Sequence, residues 1–134
     1  MLVGFEHVGM TTSDMDRAVA FYCDLLGLRL ALRKPNGSGS ELAFLDAGGG
    51  MLEIVAPAAG VGRFRDVPMS EAGMRHLTLA YDNVDAMIEK LEAAGVEIAE
   101  RPRDAHNPEM IRRVAFVRDP DGVLVELIER APGR

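Results

Sequence analysis

Four side chains in this chain of 134 residues could bind a metal, and they occupy matching places in its two halves. They are His7 and Glu53 in the first half, and His76 and Glu126 in the second. Imidazole nitrogens and carboxylate oxygens together form the donor set expected for Zn, Ni, Co, Fe or Mn. Four protein ligands leave two positions of an octahedral ion for substrate oxygens or water. The residues therefore predict one divalent metal ion held by these four side chains.

The starts of the two halves show that the chain contains an internal repeat. In the first half we predict a strand over 5–10, and the sequence 13–16 (SDMD) offers the N-cap of a helix that Gly27 ends. The second half repeats this plan with a strand over 74–79, a helix cap at Asp82 or Asn83, and a stop at Gly95. The two histidines thus lie in equivalent predicted strands.

The ends of the two halves match as well. Residues 42–45 and 51–55 flank a run of glycines and predict a hairpin. Residues 114–117 and 123–128 predict the same hairpin around a DPDG turn. The two glutamates lie in the returning strands of these hairpins.

The repeat defines the expected organisation of the chain. One more strand is predicted in each half, over 28–33 and over 96–100, so each half is a βαβββ module and the fold class is α+β. We expect a single domain over 1–134, in which module one covers about 1–56, a connector rich in Gly, Ala and Pro covers about 57–73, and module two covers about 74–130.

Strand alternation decides which way the candidate ligands point, because successive side chains face opposite sides of a sheet. Val8, Leu52, Leu77 and Val125 begin an apolar face that the two helices can cover. The four candidate ligands have the other parity, so the sequence predicts them on the opposite face.

Electrostatics favours a cation at this place if the halves pack with approximate two-fold symmetry. Two carboxylates about 4 Å apart repel by about 4 kcal/mol at an effective dielectric constant of about 20. A divalent ion replaces this repulsion by attraction. The alternative is that duplication copied the four residues without preserving a use for them.

Composition excludes several classes of partner. A formal net charge of −6 argues against nucleic acid or an anionic membrane, and no apolar run reaches the length of a membrane helix. The lone Cys23 cannot form an intramolecular disulfide, and we interpret it as a packed residue rather than a nucleophile. We expect a cytoplasmic protein that acts on a small molecule.

Three segments carry a resemblance to a known superfamily. They are residues 5–9 (FEHVG), 20–28 (AFYCDLLGL) and 114–129 (VAFVRDPDGVLVELIE). With them the chain resembles the vicinal-oxygen-chelate superfamily, above all glyoxalase I and methylmalonyl-CoA epimerase. The resemblance implies two tandem βαβββ modules that form a cupped mixed sheet around the metal, with the helices on the outer face. It also implies a homodimer, in which either one chain supplies all four ligands or each site is shared between the two chains.

The order of the ligands in the chain narrows the choice among the reactions of this superfamily. Glyoxalase I has His, Glu, His and Glu in this order, whereas the epimerase usually has Gln where this chain has Glu53. The implied reaction moves a proton next to a carbonyl through an enediolate that chelates the metal, formed from the thiol adduct of a 2-oxoaldehyde. Glu126, together with Glu53, would move the proton. The metal would stabilise charge on the substrate oxygens.

Other functions of the same fold stay open. One is racemisation of a CoA thioester, and another is a thiol transferase that confers resistance. A third is a non-enzymatic protein that sequesters a flat ligand, although an aromatic content of 5% without any Trp disfavours it. An anionic substrate tail would need cations, for which the chain offers six candidates: Arg63, Arg65, Arg101, Arg103, Arg112 and Arg113. His106 has no counterpart in the other half and is expected at the surface or beside the substrate.

Overall fold

Two compact units, Met1–Arg63 and Phe64–Arg134, divide the structure, a computed structural model that describes all 134 residues. Each unit contains one strand, one helical segment and three further strands, as the repeat predicts. The fold is therefore α+β with two βαβββ modules, each built on its own four-stranded mixed sheet. The boundary between the units lies inside the predicted connector, while the single domain over 1–134 stays a prediction.

The first unit contains the elements β1 (His7–Thr11), α1 (Met15–Val19), a π-helical turn (Ala20–Leu25), β2 (Arg29–Pro35), β3 (Glu41–Asp46) and β4 (Met51–Ala56). Its sheet has the order β1-β4-β3-β2. β1 runs parallel to β4, and the remaining pairs are antiparallel. The parallel pairing places the strand of His7 beside the strand of Glu53.

The second unit contains the elements β5 (Leu77–Ala80), α2 (Val84–Ala93), β6 (Ile98–Asp104), β7 (Ile111–Arg118) and β8 (Leu124–Arg130). Its sheet order, β5-β8-β7-β6, repeats that of the first unit. β5 is parallel to β8, so the segment after His76 lies beside the strand of Glu126. Residues between β4 and β5 form neither helix nor strand.

The predicted apolar face is the buried face of each sheet. Leu52 and Ile54 in β4, and Val125 and Leu127 in β8, are almost completely buried. α1 contacts β4, and α2 contacts β6, β7 and β8. The glutamates between these apolar residues consequently lie on the opposite face, as alternation predicts.

Local side-chain bonds set where the helices begin. The side chain of Asp14 accepts a hydrogen bond from the backbone N–H of Arg17, and that of Asn83 accepts one from Ala86, so these two residues are the N-caps. Gly27 and Gly95 adopt φ values of 89° and 82°, which stop the helical segments as predicted.

Two details differ from the sequence prediction. The first helix widens into a π-helical turn, in which the N–H of Leu26 donates to the carbonyl of Phe21 at 3.0 Å. The strand predicted over 74–79 begins at Leu77 rather than Met74, because pairing with β8 starts at Leu77 opposite Val125. His76 therefore precedes β5. A membrane-crossing helix is absent, since no helix combines the necessary length with the necessary hydropathy.

Candidate metal centre

The second unit brings His76 and Glu126 together. Nε2 of His76 lies 3.3 Å from Oε2 of Glu126, and the side chains are 27% and 13% exposed. The ring of Phe116, which pairs with Glu126 across β7 and β8, meets the imidazole edge to face with centroids 5.5 Å apart. The backbone register and this aromatic contact thus hold an imidazole and a carboxylate on one face of the sheet.

Thr78 is a member of this group that the sequence analysis did not identify. It lies opposite Glu126 in the parallel pair β5 and β8, and its hydroxyl donates to Oε2 of Glu126 at 2.7 Å. Thr78 has the same parity as His76, two residues earlier, so strand alternation was a signal that could have identified it.

The first unit places His7 and Glu53 on the equivalent face. Gly9 lies opposite Glu53 in the parallel pair β1 and β4, and Oε1 of Glu53 is 3.4 Å from the point where a Cβ on Gly9 would lie. The ring of Phe44 meets the imidazole of His7 edge to face with centroids 5.6 Å apart. Phe44 itself pairs with Glu53 across β3 and β4. The aromatic residue, the imidazole and the carboxylate therefore recur at corresponding places in both units.

The residue before His7, Glu6, contributes to the electrostatic surroundings of the imidazole. A hydrogen bond joins Nδ1 of His7 to Oε2 of Glu6. This bond raises the pKa of the His7 imidazole above its ordinary value, and the nearby charges of Glu6 and Glu53 raise it further. The negative potential that raises this pKa would also attract a metal cation.

The four predicted ligands lie in two pairs, one histidine and one glutamate in each unit. Neither unit contains a group of three or more His, Cys, Asp or Glu side chains placed to hold a metal ion. Each pair has the nitrogen and oxygen donors that first-row divalent ions accept, so the residues present fit half of the predicted ligand set. The joining of both pairs around one ion stays a prediction.

Most of the arginines proposed for an anionic tail have local partners. Arg101 pairs with Glu92, Arg103 with Glu100, Arg112 with Glu129, and Arg113 with both Asp85 and Asp104. These four guanidinium groups therefore already have carboxylate partners within the second unit. Arg65 is exposed in the connector, and His106 is exposed in the loop between β6 and β7.

A family model described as the glyoxalase/bleomycin resistance protein/dioxygenase superfamily matches residues 4–127. The chain belongs to this superfamily. The matched segment contains all four candidate ligands, the whole first module and the second module as far as residue 127 in β8. The recognition made from the three sequence segments is thereby confirmed.

Individual members of the glyoxalase superfamily show how far the likeness extends. The chain is 33% identical over 131 residues to a probable chloroplastic lactoylglutathione lyase of Arabidopsis thaliana, covering 94% of this chain but 35% of that protein. It is 27% identical to a probable lactoylglutathione lyase of Synechocystis, covering 92% of each. Among solved structures, a variant of glyoxalase I from Zea mays has a TM-score of 0.79 at 25% identity. That match covers 96% of this chain and 45% of the maize chain.

Proposed function

We propose that this member of the glyoxalase superfamily is a metal-dependent lyase of the glyoxalase I type. Its substrate would be the adduct of a small thiol with a 2-oxoaldehyde, and its reaction would move a proton next to a carbonyl. The observation that carries the proposal is the recurrence of one histidine–glutamate pair on the same sheet face of each module. Relatives named lactoylglutathione lyase that align along most of the chain support it.

The proposed cofactor is one divalent ion, Ni, Co, Zn, Fe or Mn, with His7, Glu53, His76 and Glu126 as its ligands. When bound, such an ion supplies a Lewis acid that stabilises negative charge developing on the substrate oxygens. The edge-to-face contacts of the two imidazoles with Phe44 and Phe116 restrict the orientation of each ring, which supports this assignment. This pre-orientation reduces the entropy lost when a ligand is bound.

The carboxylates would carry the proton. An oxygen of Glu53 or Glu126 takes the proton from the carbon that bears sulfur, which leaves an enediolate, and the proton returns to the neighbouring carbon. The hydroxyl proton on the carbon that bears sulfur moves to the oxygen of the neighbouring carbon, which completes the thioester and the alcohol. The carbon bearing sulfur is oxidised to a thioester carbonyl while its neighbour is reduced to an alcohol carbon. The reaction is thus an internal redox isomerisation that requires no external oxidant or reductant.

The family resemblance and the lone Cys23 extend the proposal to the state of the protein. We expect a homodimer, as the resemblance implies. We also expect a cytoplasmic location, where a single thiol such as Cys23 stays reduced.

The direct test is isomerisation of the hemithioacetal formed by glutathione and methylglyoxal. Protein loaded with Ni²⁺ should produce the thioester, which its ultraviolet absorbance reports. Glu53→Gln or Glu126→Gln should each lower activity at a fixed Ni²⁺ concentration by about 10²-fold or more, since positioned bases contribute about 10²–10⁴-fold.

A matched control separates this effect from a general loss of negative charge. Glu89→Gln changes an exposed glutamate on α2 and should leave activity unchanged. If the wild type turns over no hemithioacetal with any of the five metals, the proposal is wrong. Epimerisation of a CoA thioester by the same protein would then assign it to the alternative reaction.

A further inference from the structure

The sheet face that contains the candidate ligands, here called the ligand face, extends to the outer strand of each sheet. In the first unit Glu53 lies opposite Phe44, and Phe44 lies opposite Leu32 of the outer strand β2. Lys34 follows two residues after Leu32 and lies opposite Leu42. Because alternate residues of a strand share one face, the side chain of Lys34 also lies on the ligand face.

The contacts of Arg33 agree with this orientation of its neighbour. The guanidinium group of Arg33 donates to Asp16 of α1 at 2.7 Å and to Glu41 of β3 at 2.5 Å. The side chain of Arg33 therefore lies on the face that α1 covers. Lys34, the next residue, consequently points to the opposite face.

In the second unit an acidic residue takes the place of Leu32. Glu100 of the outer strand β6 lies opposite Phe116, as Leu32 lies opposite Phe44. A register shift beside each aromatic residue recurs in both outer strands. The same place on the ligand face is thus apolar in the first unit and acidic in the second.

This acidic residue neutralises the cation beside it. Arg103 corresponds to Lys34, because each lies opposite the residue two positions before the aromatic residue of the paired strand. Nε of Arg103 donates to Oε1 of Glu100 at 2.5 Å. Lys34 has the uncharged Leu32 where Arg103 has Glu100, and it forms no ion pair of its own. The first unit therefore presents an exposed ammonium group whose charge no carboxylate balances.

The other cation in the strands of this ligand face already has a partner. Arg29 of β2 lies opposite Asp46, and Nη2 of Arg29 is 2.7 Å from Oδ2 of Asp46. Among the strand residues of the first unit, Lys34 is thus the ligand-face cation that an anion could bind.

The place of Lys34 suits the remote end of a substrate. Its Cα is two strand spacings from β4, about 10 Å, and two residues further along the sheet than Glu53, about 7 Å. Lys34 is therefore too far away to act on the reacting carbons. Its flexible side chain can meet a group that extends several bonds from them.

We infer that Lys34 is a specificity-determining residue whose ammonium group binds a carboxylate of the substrate. The inference rests on the proposed function and defines its substrate further, as an anionic adduct. A carboxylate on the thiol and a carboxylate on the 2-oxoaldehyde have the same chemistry, so the experiment distinguishes these two sources.

Steady-state kinetics of the Ni²⁺-loaded protein with Lys34→Met tests the inference. This change removes the charge and keeps an unbranched side chain. For adducts that carry the recognised carboxylate, KM should rise about three- to tenfold, the scale of a partly exposed charge pair. The constant kcat should stay nearly unchanged, because a remote group binds substrate and transition state equally. Lys34→Arg should keep KM near that of the wild type.

The matched control is Lys90→Met, which changes the other lysine of the chain, on α2. It removes the same charge from the helix and should alter neither KM nor kcat. A loss of activity in both variants would show an effect of net charge rather than of Lys34, and would overturn the inference.

Three adducts separate the two sources of the carboxylate. Glutathione with methylglyoxal carries carboxylates on the thiol, and glutathione esterified at both carboxyl groups with methylglyoxal carries none. Esterified glutathione with 4,5-dioxopentanoate carries a carboxylate on the 2-oxoaldehyde. A rise in KM for the first adduct alone assigns the recognised carboxylate to the thiol, and a rise for the third alone assigns it to the 2-oxoaldehyde.

Equal KM values of the wild type and Lys34→Met for all three adducts would overturn the inference and leave the proposed function standing. Lys34 would then serve only to keep an edge strand from pairing with another sheet. A rise in KM that is as large for the adduct without a carboxylate would overturn the inference as well. If the wild type turns over none of the adducts, the proposed function and the inference are both overturned.

Discussion

Neighbouring side chains restrict the orientation of both histidines at the candidate centre. His7 contacts Glu6 through Nδ1 and Phe44 through its ring edge, while His76 contacts Glu126 and Phe116. In both cases an aromatic ring restricts the imidazole and a carboxylate lies within its reach. A histidine in such surroundings is suited to donate a nitrogen lone pair in one fixed direction.

Comparison of the two halves of the sequence could identify only those site residues that occur in both. The four candidate ligands occur twice at equivalent places, so comparison of the halves was enough to select them. Thr78 replaces a glycine in the other half, and Glu6 has Arg75 as its counterpart, so neither residue was marked by repetition. Their contacts depend on strand register, which the sequence did not specify to the residue.

The thiol of Cys23 should react slowly in the folded protein. Burial raises the pKa of the Cys23 thiol, and the charge of Asp24 raises it further. Because the thiolate is the reactive form, Cys23 in the folded protein should react with iodoacetamide at pH 8 several-fold more slowly than in the urea-unfolded chain. Mass spectrometry of timed samples measures both rates. Faster reaction in the folded protein would show instead that Cys23 is an activated nucleophile.

Among the elements, α2 is fixed to its sheet by three groups at its first turn. Asn83 caps it, Oε1 of the buried Glu129 accepts the backbone N–H of Val84 at 2.9 Å, and Asp85 forms a bidentate pair with Arg113 of β7. Carboxylates at a helix N-terminus also interact favourably with the helix dipole. These bonds keep α2 in place against the strand that contains Glu126.

The pair of Asp85 and Arg113 makes the stability of the second unit depend on pH. Its hydrogen bonds with Arg113 lower the pKa of Asp85 below its ordinary value. The stabilisation is therefore present above about pH 4, the usual pKa of Asp, and is lost as the pH falls through the lowered pKa. Asp85→Asn should have a lower unfolding midpoint than the wild type at pH 7, and the difference should be smaller at pH 2.

Urea unfolding followed by circular dichroism measures both midpoints. Asp82→Asn, an exposed neighbour outside this pair, is the control and should match the wild type at both pH values. A difference between Asp85→Asn and the wild type that is as large at pH 2 as at pH 7 would contradict the assigned role.

At the scale of elements, the sequence predicted every strand and both helices, but several ends were misplaced. We predicted the sixth strand over 96–100, whereas β6 covers Ile98–Asp104 and contains Pro102. β6 is an edge strand whose register shifts between Glu100 and Arg103, and a proline is tolerated where no ladder hydrogen bond is needed. The position of a strand in its sheet is a tertiary property that local patterns do not contain.

At the scale of the whole molecule, the repeat and the motifs were sufficient to predict the superfamily. The family match over residues 4–127 confirms this assignment, and the two four-stranded sheets confirm the βαβββ modules. The fold alone does not predict the reaction, because it supports many chemistries and groups outside the ligand set select the substrate.

We propose that the two histidine–glutamate pairs bind a single metal ion. Each unit contributes one imidazole and one carboxylate, which is too few donors for tight binding by itself. A single substitution in either unit should therefore abolish binding, whereas two independent sites would each survive a change in the other unit.

The most direct measurement is the metal content of protein purified without chelators or an affinity tag, by elemental analysis of the wild type, His7→Ala, His76→Ala and the control Glu89→Gln. We predict about one divalent ion per chain in the wild type and the control, and almost none in either histidine variant. A wild type that neither contains nor takes up Ni, Co, Zn, Fe or Mn would contradict this prediction. Retention of the ion by either histidine variant would contradict it as well.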